Sequence, residues 1–220
     1  MKSKIEFTPI EEEKWKRREA FWYFSSMAPT GYSLTVDVDV TDLRKKLKQA
    51  DLKFFPAYLY LTTRLLNEQE EFRLAKRDGK IGVYNYLTPL YAAFHDDDKT
   101  FSLMWTEYDD DFCSFYHDYI KNAELYGNHH GILSKPELPP PNAYTVSCVP
   151  WIEFKHFAVH SYTAVDYFFP SVEAGRIFTR MGREFLPLSM TCHHAAADGW
   201  HVKTFLERFQ READEFEKYF

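Results

Sequence analysis

The chain lacks the features that mark several large classes of protein. Its three cysteines are widely spaced and form no CxxC pair, which argues against a disulfide framework or a zinc site. It has no run of about 18 apolar residues, and its Met-Lys-Ser-Lys start has no apolar signal core. We therefore expect a cytoplasmic protein with reduced thiols.

Basic residues are outnumbered by acidic ones, 27 to 33. The formal net charge is −6, and the only dense basic run covers residues 14–18. This balance argues against nucleic acid or an anionic membrane as the partner. Aspartate triplets at 96–98 and 109–111 lack the glycine and the distal glutamate of a calcium loop, so solvated turns are the favoured interpretation.

Apolar residues are abundant. They make up 45% of 220 residues, enough for the core of one large domain, which we expect to span residues 1–220. Aromatic residues reach 18%, including twenty phenylalanines. Most of them belong in a core, and some are expected to line an apolar ligand pocket.

The apolar pattern predicts mixed secondary structure. From Tyr32 to Val40 apolar and polar residues alternate, which is typical of a half-buried strand. A helix is expected after a cap at Thr41 or Asp42. Further helices are predicted at 14–24, 56–67, 112–123, 172–181 and 202–216, and strands at 81–86, 90–94, 101–108, 143–149, 154–160 and 186–192. Because helices and strands do not alternate regularly, we predict a two-layer α/β sandwich with a mixed sheet.

The segment from His193 to His201 reads His-His-Ala-Ala-Ala-Asp-Gly-Trp-His and follows a predicted strand. The pattern His194-x-x-x-Asp198-Gly199 occurs once, where chance predicts about 0.02 matches. Imidazole titrates near neutral pH, so a histidine held at the end of a strand suits a general base. A metal site built from His193, His194, Asp198 and His201 is an alternative that the alanine-rich turn disfavours.

The whole motif resembles the active-site signature of the chloramphenicol acetyltransferase family, within the CoA-dependent acyltransferases. The resemblance continues in order along the chain, in segments 15–19, 31–35, 53–56, 94–95, 100–102, 147–151 and 166–168. It implies a mixed sheet covered by helices and a homotrimer with active sites between subunits. It also implies acetyl-CoA as cosubstrate, no metal, and a small-molecule hydroxyl acceptor.

The same resemblance implies roles for individual residues. His194 is the expected general base, and His193 has the weaker claim. Asp198 is expected to pair with Arg17, an always-charged and bidentate partner. Ser147 is expected to hydrogen-bond the oxyanion of the tetrahedral intermediate. Three further residues are expected to bind the CoA cosubstrate: Lys53, Arg176 and Trp151.

The expected acceptor pocket departs from the family's pattern. Its apolar lining is kept by Phe24, Tyr32, Phe101, Phe157 and Val159. Glu173, however, takes the place of a threonine, and the other departures are Ala92, Leu133 or Ser134, Thr145 and Ser161. Three hypotheses therefore remain: acetylation of chloramphenicol, the same chemistry on a different and more polar hydroxyl acceptor, and a binding relative without turnover.

Overall fold

The computed structural model describes residues 4–160 and 166–220. Within these ranges, ten strands form two sheets. In chain order they are β1 (Phe7–Pro9), β2 (Gly31–Asp39), β3 (Leu74–Arg77), β4 (Lys80–Tyr84), β5 (Thr88–Phe94), β6 (Phe101–Trp105), β7 (Ala143–Cys148), β8 (Ser171–Ala174), β9 (Phe178–Arg180) and β10 (Arg183–His193). The larger sheet has the order β2-β10-β8-β7-β5-β6, with β9 also beside β10, and the smaller one has the order β1-β4-β3.

The larger sheet is mixed. β7 runs parallel to both β5 and β8, whereas β10 is antiparallel to β2, β8 and β9. The 11-residue strand β10 carries the chain to the motif, and its register sets His193 opposite Gly31. β10 is paired with β8 as far as Thr191 and with β2 as far as His193, so two strands fix the approach to the motif and β2 fixes its first residue.

Five α-helices accompany the sheets: α1 (Arg18–Trp22), α2 (Thr41–Gln49), α3 (Phe54–Asn67), α4 (Phe112–Tyr126) and α5 (Gly199–Asp214). A π-helical turn, Tyr23–Met27, continues α1, and single 3-10 turns cover Glu12–Lys14, Glu70–Arg73 and Phe216–Tyr219. The central helix α3 is almost wholly buried. Within the described ranges, every helix is too short or too polar to cross a bilayer.

The two faces of the larger sheet differ in chemistry. Leu188 and Met190 of β10, with Val172 of β8 beside them, point into the core that α3 and α5 cover. The intervening positions form the opposite face, which is rich in hydroxyl groups. This alternation is what a strand period of two residues produces when one face is buried. The predicted mixed sheet covered by helices is confirmed.

Three predictions of local structure were wrong wholly or in part. Residues 172–181, predicted as a helix, form β8 and β9. β8 lies between two strands and is buried on both faces, so it shows no amphipathic alternation. Residues 154–160, predicted as a strand, have no regular structure. The helix predicted at 14–24 is divided between a 3-10 turn, α1 and the π-helical turn, which extends to Met27.

Candidate active site

A tight turn of three buried alanines, residues 195–197, follows β10 and leads into α5. Asp198 is the N-cap of this helix. Its backbone N–H donates to Nδ1 of His201 at 2.9 Å, and Nε2 of His201 lies 3.4 Å from Glu71. The backbone N–H of His194 donates to the Thr30 carbonyl at 2.8 Å. The turn is therefore anchored at both ends by hydrogen bonds.

The His194 ring lies between two aromatic side chains. It stacks on Phe24 with 3.9 Å between ring centroids, and Tyr32 approaches edge-on at 5.3 Å. Tyr32 in turn donates its hydroxyl to the Ala197 carbonyl at 3.1 Å. Nδ1 of His194 is 3.3 Å from Asp198 Oδ1, but it is not aligned for a hydrogen bond. Because Nδ1 is also buried, Nε2 is the ring nitrogen that a ligand can approach.

Arg17 and Asp198 form a bidentate ion pair. Nη1 of Arg17 donates to Oδ2 of Asp198, and Nη2 donates to Oδ1 at 3.0 Å. The same Nη2 lies 3.5 Å from the His194 carbonyl oxygen. Hydrogen bonding from Arg17 holds the pKa of Asp198 below its usual value against the opposing effect of burial. The pair joins the start of α1 to the turn that carries His194.

His193 is engaged by its own turn. Its Nδ1 accepts a hydrogen bond from the Ala195 backbone N–H at 3.1 Å, and its ring packs against Phe168 at 5.0 Å. Burial, aided by neighbouring His194, lowers the pKa of His193. This imidazole is consequently neutral and less free to exchange protons with a ligand.

Ser147 lies away from this cluster. It is on β7, in register with Glu173 of β8, which is in register with Ser189 of β10. Ser189 is four residues before His193. With a rise of ~3.3 Å per residue and ~4.8 Å between strands, Ser147 and His193 are separated by roughly 15 Å. Within a single chain, Ser147 is therefore too far from the motif to contact His194.

The residues expected to bind acceptor and cosubstrate occupy several places. Phe101 and Trp151 are 52% and 57% exposed, and Trp151 packs on Phe94 at 4.7 Å. Phe157 packs on Phe154 at 5.3 Å. Lys53 lines a separate groove together with Arg44, Lys45 and Lys48. Arg176 is exposed, and its backbone N–H donates to the Ile152 carbonyl at 2.8 Å. Ser161 lies outside the described residues.

A cavity of about 650 Å³ opens on the hydroxyl-rich face of the sheet, beside His193. Val159 and Tyr32, two of the residues expected in the acceptor pocket, are among its lining. Four hydroxyl residues that face it belong to four different strands: Ser33, Thr145, Ser171 and Thr191. Sequence reasoning missed three of them, although their alternation with apolar neighbours was a signal. It also missed the role of His201 in fixing the turn.

Glu173 does not line this cavity itself. Its side chain is 0% exposed and accepts a hydrogen bond from the Ser171 hydroxyl, which does line the cavity. Oε2 of Glu173 has no partner among the residues described. Burial raises the pKa of this carboxyl to about 7. The predicted pocket carboxylate is therefore a buried group directly behind the cavity wall.

A metal-binding arrangement arises at one place in residues 4–160 and 166–220. Ligand atoms of Asp97, Asp98 and His130 lie within 4.8 Å of one another on exposed loops. His193, His194, Asp198 and His201 do not converge in this way within the same ranges. The motif thus arranges its side chains around an ion pair and a stacked imidazole.

Comparison with known proteins identifies the lineage. A family model described as chloramphenicol acetyltransferase matches residues 5–210. A chloramphenicol acetyltransferase of Clostridioides difficile is 37% identical over 93% of this chain and 94% of the relative. One from Campylobacter coli is 36% identical over 94% and 98%. The chain belongs to the chloramphenicol acetyltransferase family.

Solved structures support the same fold. A chloramphenicol acetyltransferase superposes with a TM-score of 0.82 and 25% identity, over 94% of this chain and 99% of the other. The dihydrolipoamide acetyltransferase of Azotobacter vinelandii gives 0.67 at 15% identity, over 91% and 88%, and shows the fold alone. As a chloramphenicol acetyltransferase family member, the chain is an acetyl-CoA-dependent O-acetyltransferase.

Proposed function

We propose that this chain acetylates a hydroxyl of a small molecule with His194 as general base and Ser147 as oxyanion donor, the two supplied by different subunits of a homotrimer. The His194 ring, held by stacking on Phe24 and by the turn, with its Nδ1 buried so that a ligand can approach only at Nε2, carries the assignment of the base. A neutral alcohol is a poor nucleophile at neutral pH, so its attack on a thioester needs such a base.

The reaction balances with these groups. Nε2 of His194 takes the acceptor's hydroxyl proton as its oxygen attacks the acetyl carbonyl carbon of acetyl-CoA. The carbonyl oxygen becomes an oxyanion that receives a hydrogen bond from the Ser147 hydroxyl, which lowers the barrier where charge develops. Collapse of the intermediate breaks the carbon–sulfur bond, and the imidazolium returns its proton to the CoA thiolate.

The distance between Ser147 and the motif supports a site shared between subunits. Roughly 15 Å within one chain is too far for two groups that must act on one tetrahedral intermediate, His194 at the attacking hydroxyl and Ser147 at the carbonyl oxygen. A second copy that places its His194 over the hydroxyl-rich face of the first would bring both groups to the same intermediate. In the assembly we propose, one subunit provides His194, Arg17 and Asp198, and its neighbour provides Ser147.

Exposed apolar residues next to His194 support such an association. Trp22, Tyr23 and Met27, in and after α1, are each about half exposed or more. Strand β2 is an edge of its sheet, with Leu34 also exposed. Apolar groups clustered on a surface are typical of interfaces between subunits. We place this interface around α1, the π-helical turn and β2.

We assign binding of the CoA cosubstrate to Lys53, Arg176 and Trp151. All three are exposed and could reach a ligand on the surface. Lys53 lies in a groove lined by Arg44, Lys45 and Lys48 and by two carboxylates, Asp51 and Glu184, of which Glu184 pairs with Arg44. The remaining excess of lysines favours phosphate. We place the enzyme in the cytoplasm because its three cysteines are free thiols, the form that a reducing compartment maintains.

Mixed trimers test this proposal. His194→Ala and Ser147→Ala are each expected to release almost no thiol from acetyl-CoA in the presence of hydroxyl acceptors. If the two residues act across an interface, co-folding the two inactive variants restores activity at those interfaces where both residues are intact. The readout is thiol release, after sedimentation has verified the trimer.

The control keeps both substitutions in one chain. When chains that carry both His194→Ala and Ser147→Ala are co-folded with wild-type chains, activity is expected only at interfaces between two wild-type chains. Double-variant chains folded alone are expected to be inactive. Co-folded single variants that remain as inactive as either parent would contradict the shared site. A monomer with full activity would contradict the trimer as well.

A further inference from the structure

His201 is held in one orientation by contacts on both sides of its ring. It is the third residue of α5, its side chain is 16% exposed, and it does not line the 650 Å³ cavity. Nδ1 of the ring accepts a hydrogen bond from the Asp198 backbone N–H at 2.9 Å. A ring nitrogen that accepts a hydrogen bond carries no hydrogen, so the hydrogen of the neutral ring is on Nε2.

Glu71 favours this tautomer from the opposite edge of the ring. Its Oε1 lies 3.4 Å from Nε2 of His201, so the carboxylate attracts the hydrogen on that nitrogen. The other tautomer would set a ring N–H against the N–H of Asp198 and leave a lone pair facing the carboxylate. Glu71 therefore selects the form of His201 that can accept a hydrogen bond from Asp198.

The segment that carries Glu71 also supports the active-site turn. Glu71 lies in the 3-10 turn Glu70–Arg73, which leads directly into β3. Leu74, the first residue of β3, is buried in one apolar cluster with two alanines of the turn that follows β10. The polar contact at His201 and this apolar contact thus join the same segment to both the turn and its helix.

Asp198 is the residue through which this contact reaches the site of reaction. Its backbone is held by His201, and Arg17 clamps its carboxylate. Oδ1 of the carboxylate also lies 3.3 Å from Nδ1 of His194. Without the hydrogen-bond acceptor on His201, the N-cap would be free to turn and would carry the carboxylate away from Arg17. Small displacements of a reacting group cost large factors in rate.

We propose that His201 is a positioning residue for the acetyl transfer. Held by Glu71 as the tautomer that accepts at Nδ1, it fixes the Asp198 backbone, so that Asp198 meets Arg17 and the turn presents His194 to the substrate. Glu71 acts only through His201. The inference rests on the proposed role of His194 as the base.

Two substitutions of His201 separate the hydrogen-bond acceptor from the volume of the ring. In His201→Gln the amide oxygen can accept from the Asp198 N–H, because glutamine three residues after an N-cap forms a capping box. His201→Leu fills a similar volume but offers no acceptor. Thiol release from acetyl-CoA is measured with the fastest substrate from a panel of alcohols that includes chloramphenicol and 1-phenylpropane-1,3-diol.

We expect His201→Leu to lower kcat by about 10–100-fold, as for a displaced reacting group, with the KM for acetyl-CoA nearly unchanged. His201→Gln should recover most of this loss. Rates are measured well below the Tm of each variant, so that unfolded protein does not contribute. His117→Leu, the same change at an exposed histidine of α4, should leave kcat unchanged.

A purely structural role would give a different result. His201→Leu would then have a lower Tm, but the folded enzyme would keep the wild-type kcat, and this outcome would overturn the proposal. A His201→Gln variant as slow as His201→Leu would also overturn it, since the hydrogen-bond acceptor would then be irrelevant.

Glu71→Gln tests whether the carboxylate acts through His201. An amide both donates and accepts, so either tautomer of His201 becomes possible, and kcat should fall by less than in His201→Leu. Adding Glu71→Gln to His201→Leu should cause no further loss, because residues that act as a unit are not additive. Glu70→Gln, at the exposed neighbouring carboxylate, should have no effect. Additive losses would overturn the link between Glu71 and His201.

A spectroscopic readout does not depend on turnover. In protein labelled with ¹⁵N-histidine, the ring signals of His201 are those absent from His201→Gln. We expect the hydrogen on Nε2 in wild type, and a hydrogen on Nδ1 would overturn the proposal. If no alcohol releases thiol with wild type, the proposed acetyl transfer is wrong. The ¹⁵N signals then still judge whether Glu71 fixes the tautomer of His201.

Discussion

Arg17 clamps Asp198 through both carboxylate oxygens and lies 3.5 Å from the His194 carbonyl oxygen. Arg17 and Asp198 are 181 positions apart in the chain, so the contact ties the N-terminal segment to the motif. Asp198 is also the N-cap of α5. The pair therefore holds the turn at both ends, at Asp198 and at the His194 carbonyl. The same turn carries the His194 ring.

Breaking this pair should lower both stability and activity. We expect Arg17→Ala and Asp198→Asn each to reduce Tm and kcat, because each leaves a part-buried charged or polar partner uncompensated. The double variant should lose less than the sum of the two single losses. Differential scanning calorimetry and thiol-release kinetics measure both effects. Simple additivity would show that the two side chains do not act as a pair.

The two adjacent histidines should differ sharply. His194→Ala is expected to reduce kcat by at least about 10²–10⁴-fold, the usual contribution of a general base. His193→Ala should retain more activity, because Nδ1 of His193 is already bound to the Ala195 backbone. Rates are compared only if both variants keep the Tm and the sedimentation coefficient of the wild-type protein. A larger loss in His193→Ala than in His194→Ala would reverse the assignment.

Glu173 should make stability depend on pH. Burial raises its pKa from 4.5 to about 7, so the folded chain binds the proton more tightly than the unfolded chain does. The protonated Glu173 carboxyl therefore contributes stability that is fully present below about pH 4.5. This contribution is lost as the pH rises to about 7. Tyr58 and Cys192 are the titratable neighbours coupled to Glu173, and burial raises the pKa of both, so they stay neutral in this range.

Glu173→Gln cannot ionise and serves as the reference. Between about pH 4 and pH 8, wild type should lose roughly 3 kcal/mol of unfolding free energy relative to this variant. Urea denaturation at fixed protein concentration gives the difference at each pH. If the unfolding free energies of the two proteins change in parallel with pH, burial does not raise the pKa of Glu173.

Chloramphenicol should be a poor acceptor. A buried carboxyl lies behind the cavity wall where the family's pattern has a neutral hydroxyl, and each mismatched contact costs about 1–3 kcal/mol. We expect a low kcat/KM for chloramphenicol together with normal binding of acetyl-CoA. Glu173→Thr should raise chloramphenicol turnover. Glu153→Thr, the same change at a carboxylate that pairs with Lys155 and does not line the cavity, should not. Efficient turnover by wild type would refute the expectation.

Much of the fold follows from local patterns in the sequence. The strict alternation from Tyr32 to Val38 sets which residues of β2 face the helices, because a strand exposes alternate residues on opposite faces. The apolar stripe of α5 and the turn before it follow from spacing in the same way. The motif by itself also indicates His194 and Asp198, since few sequences place these residue types so close together by chance.

Tertiary structure decided the rest, for physical reasons. β8 is buried on both faces, so its sequence carries no period that separates strand from helix. Strand register, which no local pattern encodes, brings Ser147 beside Glu173 and keeps it roughly 15 Å from the motif. The hydrogen bond from Ser171 to Glu173 likewise depends on how the strands meet and on what buries them. The sequence determined which chemical groups the chain has, and packing between distant segments determined which of them share a site.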